Sequence, residues 1–172
     1  MQQESLFMPK ISLIAAMSKN RAIGLNNALP WPEPIPVDWG NLEKVTAGKK
    51  MIMGRKSYES QHRVWSKAGN FVVTRQENYH TDDDFETVHS LQEALNLCQD
   101  QDEVFVIGGQ AIFEEAIHLA DKIELTIVHQ EFEGDAFFPT FDESKFKVTA
   151  KRDFKIGEGT AYPLSILTYE KQ

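Results

Sequence analysis

Short apolar runs alternate with stretches of helical periodicity along most of this chain. The apolar runs predict strands at residues 10–17, 51–53, 70–74, 87–88, 103–107 and 122–129. Helical spacing follows Asp38 and Arg55 and also covers residues 90–98 and 110–119. Strands that alternate with helices in this way predict a mainly parallel sheet with helices on its faces.

The C-terminal part of the chain has a different pattern. Residues 145–154 and 162–170 alternate like two strands of a hairpin around the turn segment 156–159, which would add an antiparallel edge. The whole pattern therefore predicts an α/β protein with an open, mixed sheet. Ligands bind beyond the carboxyl ends of the strands in such sheets. We expect the residues that follow four strands to converge there, namely those after Met17, Gly54, Thr74 and Ile107.

Length and composition indicate one soluble domain. The chain has 172 residues, of which 41% are hydrophobic and 26% are charged, and no repeat or Pro/Gly/Ser-rich linker divides it. The first residues have no basic start followed by an apolar segment, so we interpret residues 1–9 as an N-terminal extension and residues 10–171 as the domain. The longest apolar runs are too short to span a bilayer. We expect a cytoplasmic protein without a membrane partner.

The single cysteine, Cys98, lies on the apolar face of the predicted helix 90–98. One cysteine cannot form an intramolecular disulfide, and its apolar neighbours indicate a core residue rather than a catalytic thiol. The five histidines show no spacing that is typical of metal ligands. We therefore expect no metal site.

Positive charge is concentrated in one part of an otherwise acidic chain. The net charge is −8, yet residues 49–75 contain seven of the 18 lysines and arginines and a single acid, Glu59. Within this stretch Gly54 ends an apolar strand, and Arg55 and Lys56 begin the next helix. A glycine at such a junction lets a phosphate approach the backbone, and the start of a helix favours an anion. The cluster predicts a site for a compact polyphosphate, whereas the net negative charge argues against nucleic-acid binding.

A second junction between a strand and a helix carries Gly108 and Gly109. It follows the strand 103–107 and precedes a helix with Ile112 and Phe113 on one face. Two residues without a Cβ atom would let the phosphates or the ring of a ligand meet the backbone. A plain tight turn explains the pair equally well, and the motif is not a Gly-x-Gly-x-x-Gly sequence.

Residues 23–38 contain four prolines and form a rigid, irregular segment between the first strand and the first helix. Asp38 stands at its end, immediately before the helical pattern. A cap for this helix is the simpler interpretation of Asp38 from spacing alone. The alternative is a carboxylate held among Trp31, Trp39 and Leu42, whose burial would raise its pKa and let it pair with a planar N–H ligand.

Several motifs follow one another in a fixed order from about Lys10 onward. They are residues 11–16, Ile23-Gly24, Leu29-Pro30-Trp31, Asp38, residues 52–60, residues 106–109 with Ile112-Phe113, and Glu133-Gly134-Asp135 with Phe138-Pro139. As a set, these motifs resemble the dihydrofolate reductase family in its bacterial chromosomal type. Any one of them alone would be a weak signal, but the resemblance covers essentially the whole chain.

The resemblance implies a fold, an activity and a cofactor. The family folds as a single domain with an eight-stranded, mainly parallel mixed sheet, an antiparallel C-terminal hairpin and about four flanking helices. It reduces 7,8-dihydrofolate to 5,6,7,8-tetrahydrofolate with NADPH, by hydride transfer to pterin C6 and protonation at N5. Dihydrofolate and NADPH would therefore be the small-molecule partners of an oxidoreductase, which we expect to be a monomer.

The resemblance also assigns residues to the two ligands. The catalytic set would be Asp38, which would hydrogen-bond the 2-amino group and N3 of the pterin, with Leu29, Trp31 and Thr126. The substrate would contact Ile14, Ala16, Trp39, Leu42, Ser60, Arg63, Trp65, Ile107 and Phe113. The cofactor would contact Ala16, Ile23, Gly54, Arg55, Lys56, Ser57, Thr74, Arg75, Gln76, Ile107, Gly108, Gly109, Gln110, Ala111 and Ile112, with residues 74–76 at the adenosine 2′-phosphate.

The position of the acid departs from the usual family pattern. Asp38 stands seven residues after Trp31, whereas the family usually places its acid five or six residues after this tryptophan. Glu33 is therefore an alternative acid. Asp38 keeps the usual spacing of sixteen residues to Gly54 and adjoins the helical pattern, and for these reasons we prefer it.

Other departures concern the ends of the ligands. Ala68 stands where the family often carries an arginine for the α-carboxylate of the folate glutamate, so Lys67 or Arg63 would have to replace it. Gln110 and Ala111 stand where a third glycine and an arginine are common, and Ala136 replaces a frequent threonine. Cofactor binding would then depend more heavily on Arg55, Lys56 and Arg75.

Two other functions compete with this interpretation. A reductase of the same fold could act on another heterocycle, such as a pyrimidine of the riboflavin pathway, but such relatives lack the Pro-Trp motif and the acid-headed helix. A nucleotide-binding protein without catalysis could retain the phosphate site alone. Asp38 with its aromatic neighbours disfavours this second alternative.

Overall fold

A computed structural model describes residues 8–172 of the chain, and eight of its strands form one mixed sheet. In chain order the strands are β1 Lys10–Ser18, β2 Ala22–Gly24, β3 Lys50–Gly54, β4 Asn70–Val73, β5 Phe85–Val88, β6 Glu103–Val106, β7 Lys122–Val128, β8 Ala136–Phe137, β9 Phe146–Phe154 and β10 Leu164–Lys171. The helices are α1 Pro36–Thr46, α2 Arg55–Tyr58, α3 Leu91–Asn96 and α4 Gln110–Ala116, with a 3-10 turn at Glu143–Lys145.

The strand order of the sheet is β5-β4-β3-β6-β1-β7-β10-β9. All neighbouring pairs are parallel except those that involve β10, which runs antiparallel to both β7 and β9. The prediction of an eight-stranded, mainly parallel sheet with four helices and an antiparallel C-terminal hairpin is therefore confirmed.

The central strands explain why the sequence pattern was informative. Leu13 of β1 pairs in register with Val106 of β6 and with Ile123 of β7, and all three side chains are fully buried. Central parallel strands are covered on both faces, so they consist of continuous apolar runs rather than alternating ones. At the far edge, β9 is exposed over most of its length and carries Lys147 and Lys151, which discourage pairing with another chain.

The prediction for the start of the first helix was wrong by three residues. The helix α1 begins at Pro36, because proline is well suited to the first helical position, where its missing N–H costs nothing. Its N-cap is Ile35, which makes no side-chain bond. Asp38 therefore lies inside the first turn, and its expected role as the cap is wrong.

Two further elements differ from the predictions. The helix at Arg55 is a single turn of four residues, so the positive end of a helix dipole contributes little there. The strands β2 and β8 were not predicted. Within residues 8–172 they pair only with each other, Ala22 with Phe137 and Gly24 with Ala136, and they form a short ribbon beside the main sheet. Segments of two or three residues are too short to show periodicity.

The remaining predictions concern single residues and the chain ends. Cys98 is fully buried in the main core and has no disulfide partner, as expected, and burial raises the pKa of its thiol to about 11. No helix within residues 8–172 is both long and apolar enough to cross a membrane. The proposed extension 1–9 lies outside the described residues except for Met8 and Pro9.

The connections at the carboxyl ends of the parallel strands determine where a ligand can lie. The turn after β3 leads into α2, the turn after β6 leads into α4, and the segment after β1 crosses the same edge of the sheet. The backbone of Gly54 donates to the carbonyl of Gly108 over 2.8 Å, which ties two of these turns together. A cleft opens at this edge.

Candidate active site

The cleft is a cavity of about 1260 Å³ at the carboxyl ends of β1, β3, β4 and β6. Ligand pockets usually enclose about 300–1,000 Å³, so this cavity has room for two organic molecules side by side. The expected convergence of the residues after these strands is observed, since Ile23 beyond Met17, Arg55 after Gly54, Arg75 after Thr74 and Gly108 after Ile107 all line it.

One end of the cavity contains a carboxylate. Asp38 projects from the first turn of α1, and Thr126 of β7 donates a hydrogen bond of 2.7 Å from its hydroxyl to Asp38 Oδ1. Burial raises the pKa of Asp38 to about 6, against the opposing effect of this bond. The second oxygen, Oδ2, has no hydrogen-bond donor among the described residues. Asp38 can therefore accept a hydrogen bond from a ligand and can titrate near neutral pH.

The walls beside Asp38 are apolar and come from several elements. They are Ile14 and Ala16 of β1, Leu29, Trp39 and Leu42 of α1 and the segment before it, and Ile107, Ile112 and Phe113 around the start of α4. Ser60 lies across from α1, where the ring of His62 contacts Trp39 edge to face at 6.4 Å between centroids. A flat heterocycle fits between such walls, which exclude water from it.

The other end of the cavity is cationic and polar. Arg55 and Lys56 of α2 and Arg75 beyond β4 all line it, together with the hydroxyls of Ser57 and Thr74 and the amide of Gln76. Three of the basic residues in the stretch 49–75 thus point into the same part of the cavity. This arrangement favours a ligand with several phosphate groups.

Two glycine junctions form the floor between these ends. A Cβ atom on Gly108, which has φ of +121°, would lie 3.2 Å from the Phe113 ring and 3.4 Å from Ser57 Oγ. A Cβ atom on Gly54 would lie 3.3 Å from the side chain of Ile112. The peptide bond between Gly108 and Gly109 is cis. Because side chains at Gly54 and Gly108 would crowd these neighbours, the two glycines keep a narrow part of the cavity wall free of side chains, which a plain tight turn would not require.

The β2–β8 ribbon covers part of the cavity. Ile23, Gly24 and Ala136 of the ribbon line it. Beside the ribbon, the carboxylate of Asp135 accepts a hydrogen bond of 2.9 Å from the backbone N–H of Asn26. The side chain of Gln110 at the start of α4 accepts a hydrogen bond of 2.8 Å from the backbone N–H of Phe137. The ribbon is thereby connected to the glycine junction beneath it.

Most site residues expected from the sequence line this single cavity, and four do not. Trp31 is buried in an adjacent apolar cluster, and Thr126 is buried behind Asp38. Arg63 and Trp65 lie beside a separate shallow depression that shares Trp39, Ser60 and His62 with the main cavity.

The conformation of Arg63 explains why it is outside. Its Nε donates to the backbone carbonyl of Tyr58, its Nη1 is 3.0 Å from Asp82 Oδ2, and its guanidinium lies 3.9 Å from the centre of the Tyr58 ring. These contacts turn its donors away from the cavity. Glu33 is exposed and does not line the cavity either.

Sequence reasoning missed several residues that line the cavity. His62, Val64 and Asp135 all lie in irregular segments, where no periodicity indicates the direction of a side chain. Asn27 and Ala28 also line the cavity, and they belong to the segment 17–29 that the family resemblance places over the nicotinamide. Asp135 is part of a motif that contributed to the family resemblance, but no role followed for it. No group of histidine, cysteine, aspartate or glutamate within the described part of the chain is arranged to hold a metal ion.

Comparisons with known proteins agree with this geometry. Residues 10–171 match the family model for dihydrofolate reductase. The dihydrofolate reductase of Bacillus subtilis is 39% identical over 94% of this chain and 95% of its own length, and that of Neisseria meningitidis serogroup A is 39% identical over 90% and 95%.

A solved structure has the same fold. The dihydrofolate reductase from Enterococcus faecalis complexed with NADP(H) superposes with a TM-score of 0.83 at 27% identity, and the match covers 96% of this chain and 98% of that one. The sequence match, the shared fold and the cavity with its acidic and cationic ends lead to one conclusion: the chain belongs to the dihydrofolate reductase family.

Proposed function

We propose that the cavity holds dihydrofolate and NADPH side by side, with the pterin at the Asp38 end and the phosphates at the Arg55 end. Family membership makes the chain an NADPH-dependent oxidoreductase that reduces 7,8-dihydrofolate to tetrahydrofolate. The observation that carries the placement is the separation of charge, since a desolvated, partly exposed carboxylate and a cation cluster lie at opposite ends of one cavity.

The residues at the cationic end are compatible with NADPH. Arg55, Lys56 and Arg75 supply charge for its phosphates, and the Ser57 and Thr74 hydroxyls supply further donors. The glycine junction leaves room for a pyrophosphate or ring close to the backbone. We assign Arg75 with Thr74 and Gln76 to the adenosine 2′-phosphate, and Gly108, Gly109, Gln110, Ala111 and Ile112 to the pyrophosphate and its surroundings.

Asp38 recognises the pterin through the two oxygens of its carboxylate, which both accept hydrogen bonds. The 2-amino group and N3 of a pterin present two parallel N–H donors, which match the two oxygens of a carboxylate. Thr126 holds Oδ1 at 2.7 Å and so fixes the orientation of the carboxylate plane. Ala16, Leu29, Trp39, Leu42 and Phe113 are assigned to the faces of the substrate, and Trp31 supports this wall from the adjacent apolar cluster.

The bound cofactor supplies the hydride, which passes from nicotinamide C4 to pterin C6. The chain contributes positioning and the exclusion of water, because Ala16, Ile23 and Ile107 close the apolar space in which the rings meet. A proton must also reach N5. Asp38 touches the opposite side of the pterin, so it polarises the ring while water delivers the proton.

Three further assignments extend this proposal. Residues 10–171 are the catalytic domain and residues 1–9 are an extension to it. Arg63 and Trp65 contact only those parts of the substrate that extend beyond the cavity into the adjoining depression. Arg63 does so without an ion pair to the glutamate carboxylate, because Asp82 already holds its guanidinium. We also propose that the protein is a monomer, since one chain supplies the walls of the cavity. We propose that it works in the cytoplasm, where a single buried cysteine stays a thiol.

The test of the proposed function is the absorbance of NADPH while dihydrofolate is added to the folded protein. We expect NADPH oxidation that requires both dihydrofolate and the enzyme. Binding of NADPH without any turnover would contradict the proposal and would instead indicate a nucleotide-binding protein without catalysis. Turnover with a pyrimidine substrate but not with dihydrofolate would indicate a reductase for another heterocycle.

A further inference from the structure

The only acid of the basic stretch 49–75, Glu59, lines the cationic end of the cavity. A carboxylate at that place repels phosphate groups, so a phosphate site gains nothing from its charge alone. Its contacts indicate another role. Glu59 stands four residues after Arg55, and its Oε1 lies 2.9 Å from Arg55 Nη1.

A second contact fixes the other oxygen of this carboxylate. The hydroxyl of Tyr79 donates a hydrogen bond to Glu59 Oε2. Tyr79 itself does not line the cavity, and its ring packs edge to face against Tyr58, which is buried in the core under β3 and β4. A chain of contacts therefore runs from the core through Tyr79 and Glu59 to the guanidinium of Arg55.

The pKa shifts of Glu59 and Tyr79 are consistent with this series of contacts. The hydrogen bond from Tyr79, and then the contact with Arg55, lower the pKa of Glu59. Burial, and then the Glu59 carboxylate, raise the pKa of Tyr79 to about 12. Tyr79 is thus a neutral donor and Glu59 an ionised acceptor over the physiological range.

An exposed ion pair of this kind contributes little to folding, because solvent screens it and its two side chains lose rotamer freedom. Arg55 and Glu59 are exposed by 33% and 40% of their side chains. The pair uses one terminal nitrogen of the guanidinium and leaves the donors on Nε and Nη2 for another acceptor. An arginine held in one conformation binds an anion more tightly than a mobile one, because less entropy is lost on binding.

We propose that Tyr79 and Glu59 are positioning residues that hold the Arg55 guanidinium ready for a phosphate of the cofactor. This inference rests on the proposed placement of the NADPH phosphates at the Arg55 end. Tyr79 acts from outside the cavity, and it reaches the ligand only through Glu59 and Arg55.

Tyr79→Phe tests the proposal without changing any charge, since it removes a single hydroxyl. We expect the dissociation constant of NADPH, measured by direct binding to the protein without substrate, to rise about two- to fivefold. The binding of a tail-less diaminopyrimidine inhibitor at the Asp38 end should not change. Tyr162→Phe, in the apolar cluster beside Trp31, is the matched control and should bind NADPH like the wild type.

The same substitution in an Arg55→Ala protein separates positioning from a structural effect. If Tyr79 acts through Arg55, Tyr79→Phe should not change NADPH binding further in that background. An equal loss in both backgrounds would show general loosening of this region and would overturn the proposal. Unchanged or tighter NADPH binding by Tyr79→Phe alone would overturn it as well. Because the measurement is binding, its result is independent of whether dihydrofolate is reduced.

Discussion

Replacement of Asp38 by asparagine is expected to stabilise the ligand-free protein while it removes the activity. In the folded protein, burial raises the pKa of Asp38 from 3.8 to about 6, and the Thr126 hydroxyl offsets only part of this effect. The ionised carboxylate is therefore less stable in the cavity than in the unfolded chain. Asparagine has nearly the same shape, carries no charge and keeps an oxygen that can accept the hydrogen bond from Thr126.

The size of the effect follows from the two pKa values. A difference of one pH unit corresponds to about 1.4 kcal/mol, so ionised Asp38 costs the folded state at most about 3 kcal/mol. Water in the open cavity screens the charge, and we expect a gain in the free energy of unfolding of about 1–3 kcal/mol. For a protein of this length, that gain corresponds to a rise of about 3–10 °C in the melting temperature.

The stability gained by Asp38→Asn depends on pH. Because the pKa is higher in the folded than in the unfolded state, the contribution of Asp38 to stability is fully present below about pH 4 and is lost as the pH rises through about 6. The advantage of Asp38→Asn should thus be close to zero at about pH 4 and complete by about pH 8. Urea unfolding of both proteins across this range measures it.

Two outcomes would refute the reasoning about Asp38. Equal stabilities of the wild type and Asp38→Asn at all pH values would show that the carboxylate is not desolvated. The matched control is Glu33→Gln, which removes an exposed carboxylate outside the cavity and should change neither stability nor turnover. Asp38→Asn should lower turnover near neutral pH by about 10²–10⁴. An inactive Glu33→Gln protein would show that Glu33, and not Asp38, is the acid that binds the pterin.

The other predictions concern the pH profile, the two ligand ends and the β2–β8 ribbon. The value of kcat/KM for dihydrofolate should fall as the pH rises through about 6, because the reaction consumes a proton and the free enzyme carries one on Asp38 only below that pH, from where water can relay it to N5; a flat profile would contradict this. Arg75→Ala should weaken NADPH about tenfold and NADH little, through loss of a charge-assisted bond; an unchanged ratio of the two affinities would remove Arg75 from the site. Ala68→Arg should tighten dihydrofolate and glutamate-bearing antifolates but not tail-less diaminopyrimidines, and equal shifts for both classes would show a general change of the pocket. Gly134→Ala should lower stability by about 1–3 kcal/mol in urea unfolding, because its Cβ would lie 2.5 Å from that of Ala22; unchanged stability would show that the ribbon adjusts freely.

The structure leaves one candidate side chain beside Ala68 for the α-carboxylate of the folate glutamate. Arg63 was one of two residues that could replace the absent arginine, but it is paired with Asp82 and stacked on Tyr58. Lys67 remains exposed next to Ala68 and is the candidate to hold the glutamate as a point charge. Lys67→Ala would then weaken only ligands that carry the tail.

The fold was largely predictable because its central strands are covered on both faces. Burial on two faces requires continuous apolar runs, and such runs are visible in one sequence without reference to contacts. The β2–β8 ribbon was not predictable, since pairing across more than 110 residues fixes it and its strands are two or three residues long. The start of α1 at Pro36 was also missed, because the helical pattern looked complete only after Asp38.

The site was predictable in its residues but not in its connections. Spacing alone favoured a helix cap for Asp38, but the helix begins at Pro36, and the side chain of Asp38 instead accepts a bond from Thr126, in a strand 88 residues away. The charge cluster at residues 49–75 was evident in the sequence, but the contact that ties Glu59 to Tyr79 was not. Contacts between side chains distant in sequence depend on the assembled fold, and a single amino-acid sequence contains no record of them.

The most direct test of the shared cavity is the fate of a deuterium atom. NADPH that carries deuterium at the transferred position of nicotinamide C4 is incubated with the enzyme and dihydrofolate in ordinary water, and the product is analysed by NMR. We expect tetrahydrofolate with one deuterium at C6, because the two rings lie in direct contact in the apolar part of the cavity and the hydride passes between them without an intermediate carrier. Tetrahydrofolate without deuterium at C6, or with the label lost to water, would contradict direct transfer between two ligands held side by side.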